Sequence, residues 1–85
     1  MKTNDQSFRD SLNKMEWPAL FPFKFIVPID KLDELLGQFQ LLETKIRLSK
    51  NGRYASLSTT PFLLNPDKVL EVYEQVSKIN GVIAL

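Results

Sequence analysis

The chain contains no cysteine and no histidine. The first absence removes disulfide staples, thiolate metal ligands and thiol nucleophiles together. The second removes a Ser-His-Asp triad, an imidazole general base and the commonest zinc ligand. Glycine is scarce, with three residues at positions 37, 52 and 81, so neither a GxGxxG fingerprint nor a Walker loop is present. An excess of one charge is lacking too. Eleven Lys and Arg stand against ten Asp and Glu, and a net +1 supplies no global drive toward polyanions or membranes. The longest apolar-rich stretch, Leu20 to Ile29, is broken by Pro22, Lys24 and Pro28 and falls far short of the roughly 20 residues of a membrane span. Met1-Lys2-Thr3-Asn4-Asp5-Gln6-Ser7 is polar and lacks the apolar core of an export signal, so a cytoplasmic location is expected.

What remains is ordinary globular composition, 44% apolar and 25% charged over 85 residues. A domain of this length buries only about 60–65% of the surface its unfolded chain exposes, which limits it to one two-layer core. A single boundary near Glu16-Trp17-Pro18 divides an N-terminal arm, residues 1–16, from a domain, residues 17–85. In the arm, Phe8, Leu12 and Met15 fall at i, i+4 and i+7, with Asn4 or Asp5 as a cap. They predict a short amphipathic helix, marginal unless docked; covering an edge-strand seam is one use for it.

From Leu20 to Val27 the chain alternates, with Phe21, Phe23, Phe25 and Val27 on one face and Pro22, Lys24 and Ile26 on the other, which predicts a strand. Asp30 is placed to cap a helix in which Leu32, Leu35, Leu36 and Phe39 share one side and which Gly37 shortens. Asn51-Gly52 predicts a type I′ hairpin turn, pairing Lys50 with Arg53, Ser49 with Tyr54, Leu48 with Ala55, Arg47 with Ser56 and Ile46 with Leu57. That register sorts Ile46, Leu48, Ala55 and Leu57 to a core face and Lys45, Arg47, Ser49, Tyr54, Ser56 and Ser58 to a polar one. Asn65-Pro66 opens a second helix carrying Val69, Val72, Tyr73, Val76 and Ile79, and Asn80-Gly81 stops it. Val82 to Leu85 reads as a last strand. The order β-α-β-β-α-β predicts an α+β, ferredoxin-like sandwich: a four-stranded antiparallel sheet, first and third strands central, with two helices on one face.

Trp17-Pro18, Phe21, Phe23-Lys24-Phe25, the hairpin Ser49-Lys50-Asn51-Gly52-Arg53-Tyr54-Ala55-Ser56-Leu57-Ser58, Val72-Tyr73-Glu74 and the ending Ile79-Asn80-Gly81-Val82-Ile83-Ala84-Leu85 resemble the YbeD-like family of small bacterial proteins of unknown function. The resemblance covers residues 17–85 and departs between Asp30 and Thr44, where the first helix and its exit loop are shorter than in typical relatives. It implies a ferredoxin-like fold close to the ACT domain, a module that in other proteins binds small effectors and regulates a partner enzyme. It implies no established activity.

The residues with chemistry to offer are those of the polar sheet face. Lys24, Lys45, Arg47, Ser49, Tyr54, Ser56 and Ser58, with Arg53 beside the turn, form a candidate ligand- or partner-binding set, because Arg and Lys with hydroxyl donors hold carboxylates and phosphates. The same pattern describes a solvated sheet face guarded by charge. RNA-recognition motifs use such a face, but they stack bases on several aromatics and only Tyr54 is available here, so nucleic acid is disfavoured. Asp30, Asp33 and Glu34 suit a helix N-terminus, no motif places a second acid for a catalytic carboxylate pair, and no metal or cofactor motif is present. The expected function is therefore a non-enzymatic regulatory or ligand-binding module of ACT-like type, with an unknown protein or small anionic ligand as partner, no membrane, no metal and no cofactor. The alternative is an adaptor acting through an edge strand or the hairpin tip. Separately, the apolar edge Val82 to Leu85 and the edge pairing of ACT-like modules make a homodimer by edge-strand pairing an expected partner. RNA binding is third.

Overall fold

The computed structural model describes residues 6–85, a mixed α+β chain with antiparallel sheets. Helix α1 spans Gln6–Asn13, β1 Ala19–Leu20 and β2 Phe23–Pro28. A 3-10 turn, Ile29–Lys31, leads into α2, Leu32–Gly37. Strands β3, Lys45–Leu48, and β4, Tyr54–Thr59, form the hairpin, followed by β5, Phe62–Leu63, α3, Pro66–Ser77, and β6, Ile83–Ala84. The main sheet runs β3-β4-β2-β6, and β1 pairs with β5 in a separate two-stranded sheet.

The expected first strand is thus split. Pro22 has no N–H to give a ladder, and the chain steps from β1 to β2 across Phe21-Pro22, where the Phe21 N–H donates to the Pro61 carbonyl. The hairpin register is as the polarity pattern requires, with Ile46 opposite Leu57, Arg47 opposite Ser56 and Leu48 opposite Ala55. The turn is not type I′. That turn needs positive φ at both central residues, and of the two only Gly52 has it, at +73°. Instead, the Gly52 N–H bonds the Ser49 carbonyl, so Lys50 and Asn51 occupy the centre of a β-turn and Gly52 follows it. Asn51 serves through its side chain, whose Oδ1 accepts from the Ser49 hydroxyl and the Arg53 N–H, both at 2.9 Å. Lys50 and Arg53 lie in the loop, beyond the ladder.

Helix α3 begins as expected, with the Asn65 side chain accepting from the Lys68 N–H and Pro66 in the first turn. Asp30 caps nothing: it sits inside the 3-10 turn, and neither that turn nor α2 has a side-chain cap. The core is one cluster in which Phe23, Phe25, Val27, Ala55 and Leu57 of the sheet meet Leu35 and Phe39 from the α2 region and Val69, Val76 and Ile79 from the α3 region. Burial of this apolar area is what stabilises the domain, at roughly 25 cal/mol per Å².

Two apolar expectations need correction. Ile46 and Leu48 point to the helix side but remain 40% and 59% exposed, because α2 is only six residues long and the helical layer ends short of β3. Among its described residues, the arm covers no strand seam. Helix α1 docks on α3, with Leu12 buried in the common core, Phe8 edge-on to Tyr73 at 5.8 Å, and Arg9 paired with Asp67 at 3.2 Å. The Trp17 indole N–H donates to the Leu12 carbonyl at 2.8 Å and so fixes the exit from this helix. Met15 stays 39% exposed, and Asn4 and Asp5 lie outside the described residues.

Candidate functional site

The sheet surface opposite the helices is set by strand alternation. In β2 and β4 buried residues alternate with exposed or half-buried ones, so Lys24, Ile26, Tyr54, Ser56 and Ser58 face outward. Pairing register converts this into rows. Lys45, Ser58 and Lys24 lie side by side on three adjacent strands, and Arg47, Ser56 and Ile26 form the next row. Ile83 continues the second row on β6. Tyr54 stands beside Pro28 in a third. Adjacent strands lie about 4.8 Å apart and rows about 6.8 Å apart, so the two lysine Cα atoms of the first row are separated by roughly 10 Å, with a hydroxyl between them. One half of the face, on β3 and β4, is cationic and hydroxylic. The other half, with Ile26, Ile83 and Leu85, is apolar apart from Lys24.

The net charge conceals a segregation. No strand of the main sheet carries an acid. Asp10, Asp33, Glu34, Asp67, Glu71 and Glu74 all lie on the helices. Among the described residues, the ion pairs are Arg9 with Asp67, Lys31 with Glu34 and Lys68 with Glu71, all in the helical layer or the turn leading to it. Lys24, Lys45, Arg47, Lys50 and Arg53 have no carboxylate partner among the described residues. The helical layer thus carries both signs, largely paired, whereas the strands of the main sheet carry cations alone, so the open face is locally cationic although the chain is nearly neutral.

Two members of the expected set have other duties. The Ser49 hydroxyl accepts from the Tyr54 N–H at 3.2 Å and donates to Asn51, so it holds the turn rather than presenting a free donor. The Arg53 carbonyl accepts from the Ile29 N–H at 2.8 Å and its N–H is bound to Asn51, which anchors the backbone and leaves the guanidinium free at the hairpin tip. Lys24, Lys45, Arg47, Ser56, Ser58 and Tyr54 share one surface. Thr59, which no motif singled out, is the one buried polar residue among those described. Its hydroxyl donates to the Glu43 carbonyl at 2.7 Å and ties the segment before β3 to the end of β4. Its place one step past Leu57 in the inward set was the available signal. Beside this tie a groove of about 880 Å³ opens, with Leu41, Leu42, Glu43, Lys45, Ser58 and Phe62 among its walls.

Chemically the face offers charge-assisted donors and no general base. Among the described residues no group of three or more acids, cysteines or histidines is arranged to hold a metal ion, and no helix is long and apolar enough to cross a membrane. Tyr73 lies on the helical side, against Phe23 at 5.2 Å, and burial raises its phenol above the ordinary value. No family model, curated protein or solved structure matches the chain.

Proposed function

We propose that this chain is a non-enzymatic binding module of the ferredoxin-like type whose open sheet face takes an anionic ligand or partner. The single observation that carries this reading is the segregation of charge: five cations on the sheet and its hairpin, with no acid on the main-sheet strands. The antiparallel order β3-β4-β2-β6, central strands from the first and third positions of the β-α-β-β-α-β plan, supports the ferredoxin-like layout. A regulatory role of ACT-like type follows from the resemblance to YbeD-like proteins and has that support alone. Paired lysines flanking a hydroxyl suit a carboxylate or phosphate, whose oxygens accept short charge-assisted bonds.

The reading is tested by following backbone amides of labelled protein during titration with inorganic pyrophosphate and with citrate. Shifts should centre on Lys24, Lys45, Arg47, Ser56 and Ser58, weaken with added salt, and vanish in Arg47→Glu. Shifts confined to the helices, or none at millimolar ligand, would remove the function assigned to this face. RNA binding has thinner support, because a lone Tyr54 supplies one stacking contact of about 1–3 kcal/mol.

A further inference from the structure

Strand β3 is a margin of the main sheet, with β4 on one side and, among the described residues, no strand on the other. Opposed residues of an antiparallel ladder alternate between pairs that exchange hydrogen bonds and pairs that do not. The bond from the Ser49 N–H to the Tyr54 carbonyl sets the phase. With Arg47 opposite Ser56 and Lys45 opposite Ser58, the backbone groups of Lys45 and Arg47 turn to β4, while those of Ile46 and Leu48 turn outward. On β6 the equivalent phase, set by the Leu85 N–H on the Lys24 carbonyl, leaves only Ala84 turned outward among the two strand residues. The longer row of unused backbone groups is therefore on β3.

The side chains of that strand differ by face. Ile46 and Leu48 present aliphatic surface on the helix side, uncovered by any helix, and Lys45 and Arg47 present unpaired cations on the open side. A strand laid along this edge would meet aliphatic and cationic neighbours in alternation. We infer that β3 takes up a further strand from an acidic partner protein: an extended segment in which aliphatic and carboxylate residues alternate, antiparallel to Lys45–Leu48. The inference rests on the anion-binding reading above and gives the anion a protein source. Strand addition of this kind draws affinity from main-chain bonds and selectivity from alternate side chains.

A second copy fits this edge poorly. Two-fold pairing of β3 with itself that keeps like faces together sets Arg47 against Arg47 or Lys45 against Arg47, and like charges directly opposite destabilise a sheet. An antiparallel acidic segment has no such conflict. Past Lys45 it would run toward the groove bounded by Leu41, Leu42 and Phe62, apolar surface continuous with the same edge.

The test is fluorescence anisotropy of the full chain with a labelled peptide of core Val-Glu-Val-Glu. Saturable binding is expected, weakened at least about tenfold in a Val-Val-Glu-Glu peptide of equal composition. N-methylation of either core valine, whose N–H would face β3, should weaken binding by at least about tenfold, and N-methylation of the glutamates, whose N–H would face away, by less than about threefold. Arg47→Glu, checked as folded by its amide spectrum, should lose the acidic peptide and gain Val-Lys-Val-Lys. Peptide binding indifferent to the methylated position would mean docking flat on the sheet face and overturn strand addition, leaving the anion-binding reading intact. Absence of peptide binding alongside persistent pyrophosphate shifts would do the same, and absence of both would overturn both. A concentration-dependent dimer in sedimentation, with amide broadening centred on Ile46 and Leu48, would assign the edge to a second copy and also overturn the inference.

Discussion

Replacing Gly81 with alanine tests how the last strand is brought onto the sheet. Gly81 has φ +83°, a region in which an L-residue costs about 1–2 kcal/mol. A Cβ there would also lie 2.8 Å from Pro28 Cγ and 3.1 Å from its Cδ, inside the ring that ends β2. Overpacking of this kind costs about 1–3 kcal/mol, so the sum is roughly 2–5 kcal/mol. Gly52 is the internal control. Its φ is +73° but nothing lies within 4 Å of an added Cβ, so Gly52→Ala should carry only the backbone cost. Gly37, at the end of α2 with open space around it, should behave oppositely and stabilise the chain by about 0.5–1 kcal/mol when changed to alanine. Urea unfolding of the three variants gives the comparison directly, and each kcal/mol lowers the melting temperature of a domain this size by about 4–8 °C. The amides of Ile83 and Ala84 in Gly81→Ala should broaden as β6 loosens from β2. If Gly81→Ala cost no more than Gly52→Ala, the close approach of residue 81 to Pro28 would be refuted, and with it the account of how β6 is seated.

Leu57 and Ile46 are ladder partners on one sheet face, yet Leu57→Ala should cost about 2–5 kcal/mol and Ile46→Ala under about 1 kcal/mol, because the first is fully buried and the second is not; equal costs in thermal unfolding would mean the helical layer covers both. Asn65→Ala should lose about 1 kcal/mol through the uncapped Lys68 N–H, with Asn65→Asp retaining most of it, read by the same denaturation. Tyr73 should ionise above its ordinary value in an ultraviolet titration, since burial disfavours the phenolate. Its folded pKa exceeds the unfolded one, so the associated stability is complete below pH 10 and lost as pH rises through the folded value; Tyr73→Phe should flatten that alkaline decline.

Hairpin register was legible because every cross-strand pair from Ile46–Leu57 to Leu48–Ala55 sorts by polarity, and a one-residue slip would exchange core for solvent. The cap of α3 was legible because Asn65-Pro66 acts within one turn of chain. Asn51-Gly52 marked the reversal correctly but not its type, since Asn51 can satisfy a turn either by positive φ or by its side-chain oxygen, and the choice depends on Ser49 and Arg53 around it. The six outward residues of the candidate face were found by parity alone. Their lack of carboxylate partners was not, because the chain nearly balances its charges and only folding decides which cations the acids reach.

Alternation and capping are local properties, determined by the direction successive side chains take from the backbone, and the order of residues suffices to state them. What covers a face is not local. Ile46 and Leu48 carry the same apolar signal as Leu57, and only the reach of α2 over the sheet decided that they lie open while Leu57 does not. The docking of Leu12, too weak a helix signal by itself, was decided by the surface that α3 and Trp17 present to it, since a short helix gains its stability from what it packs against.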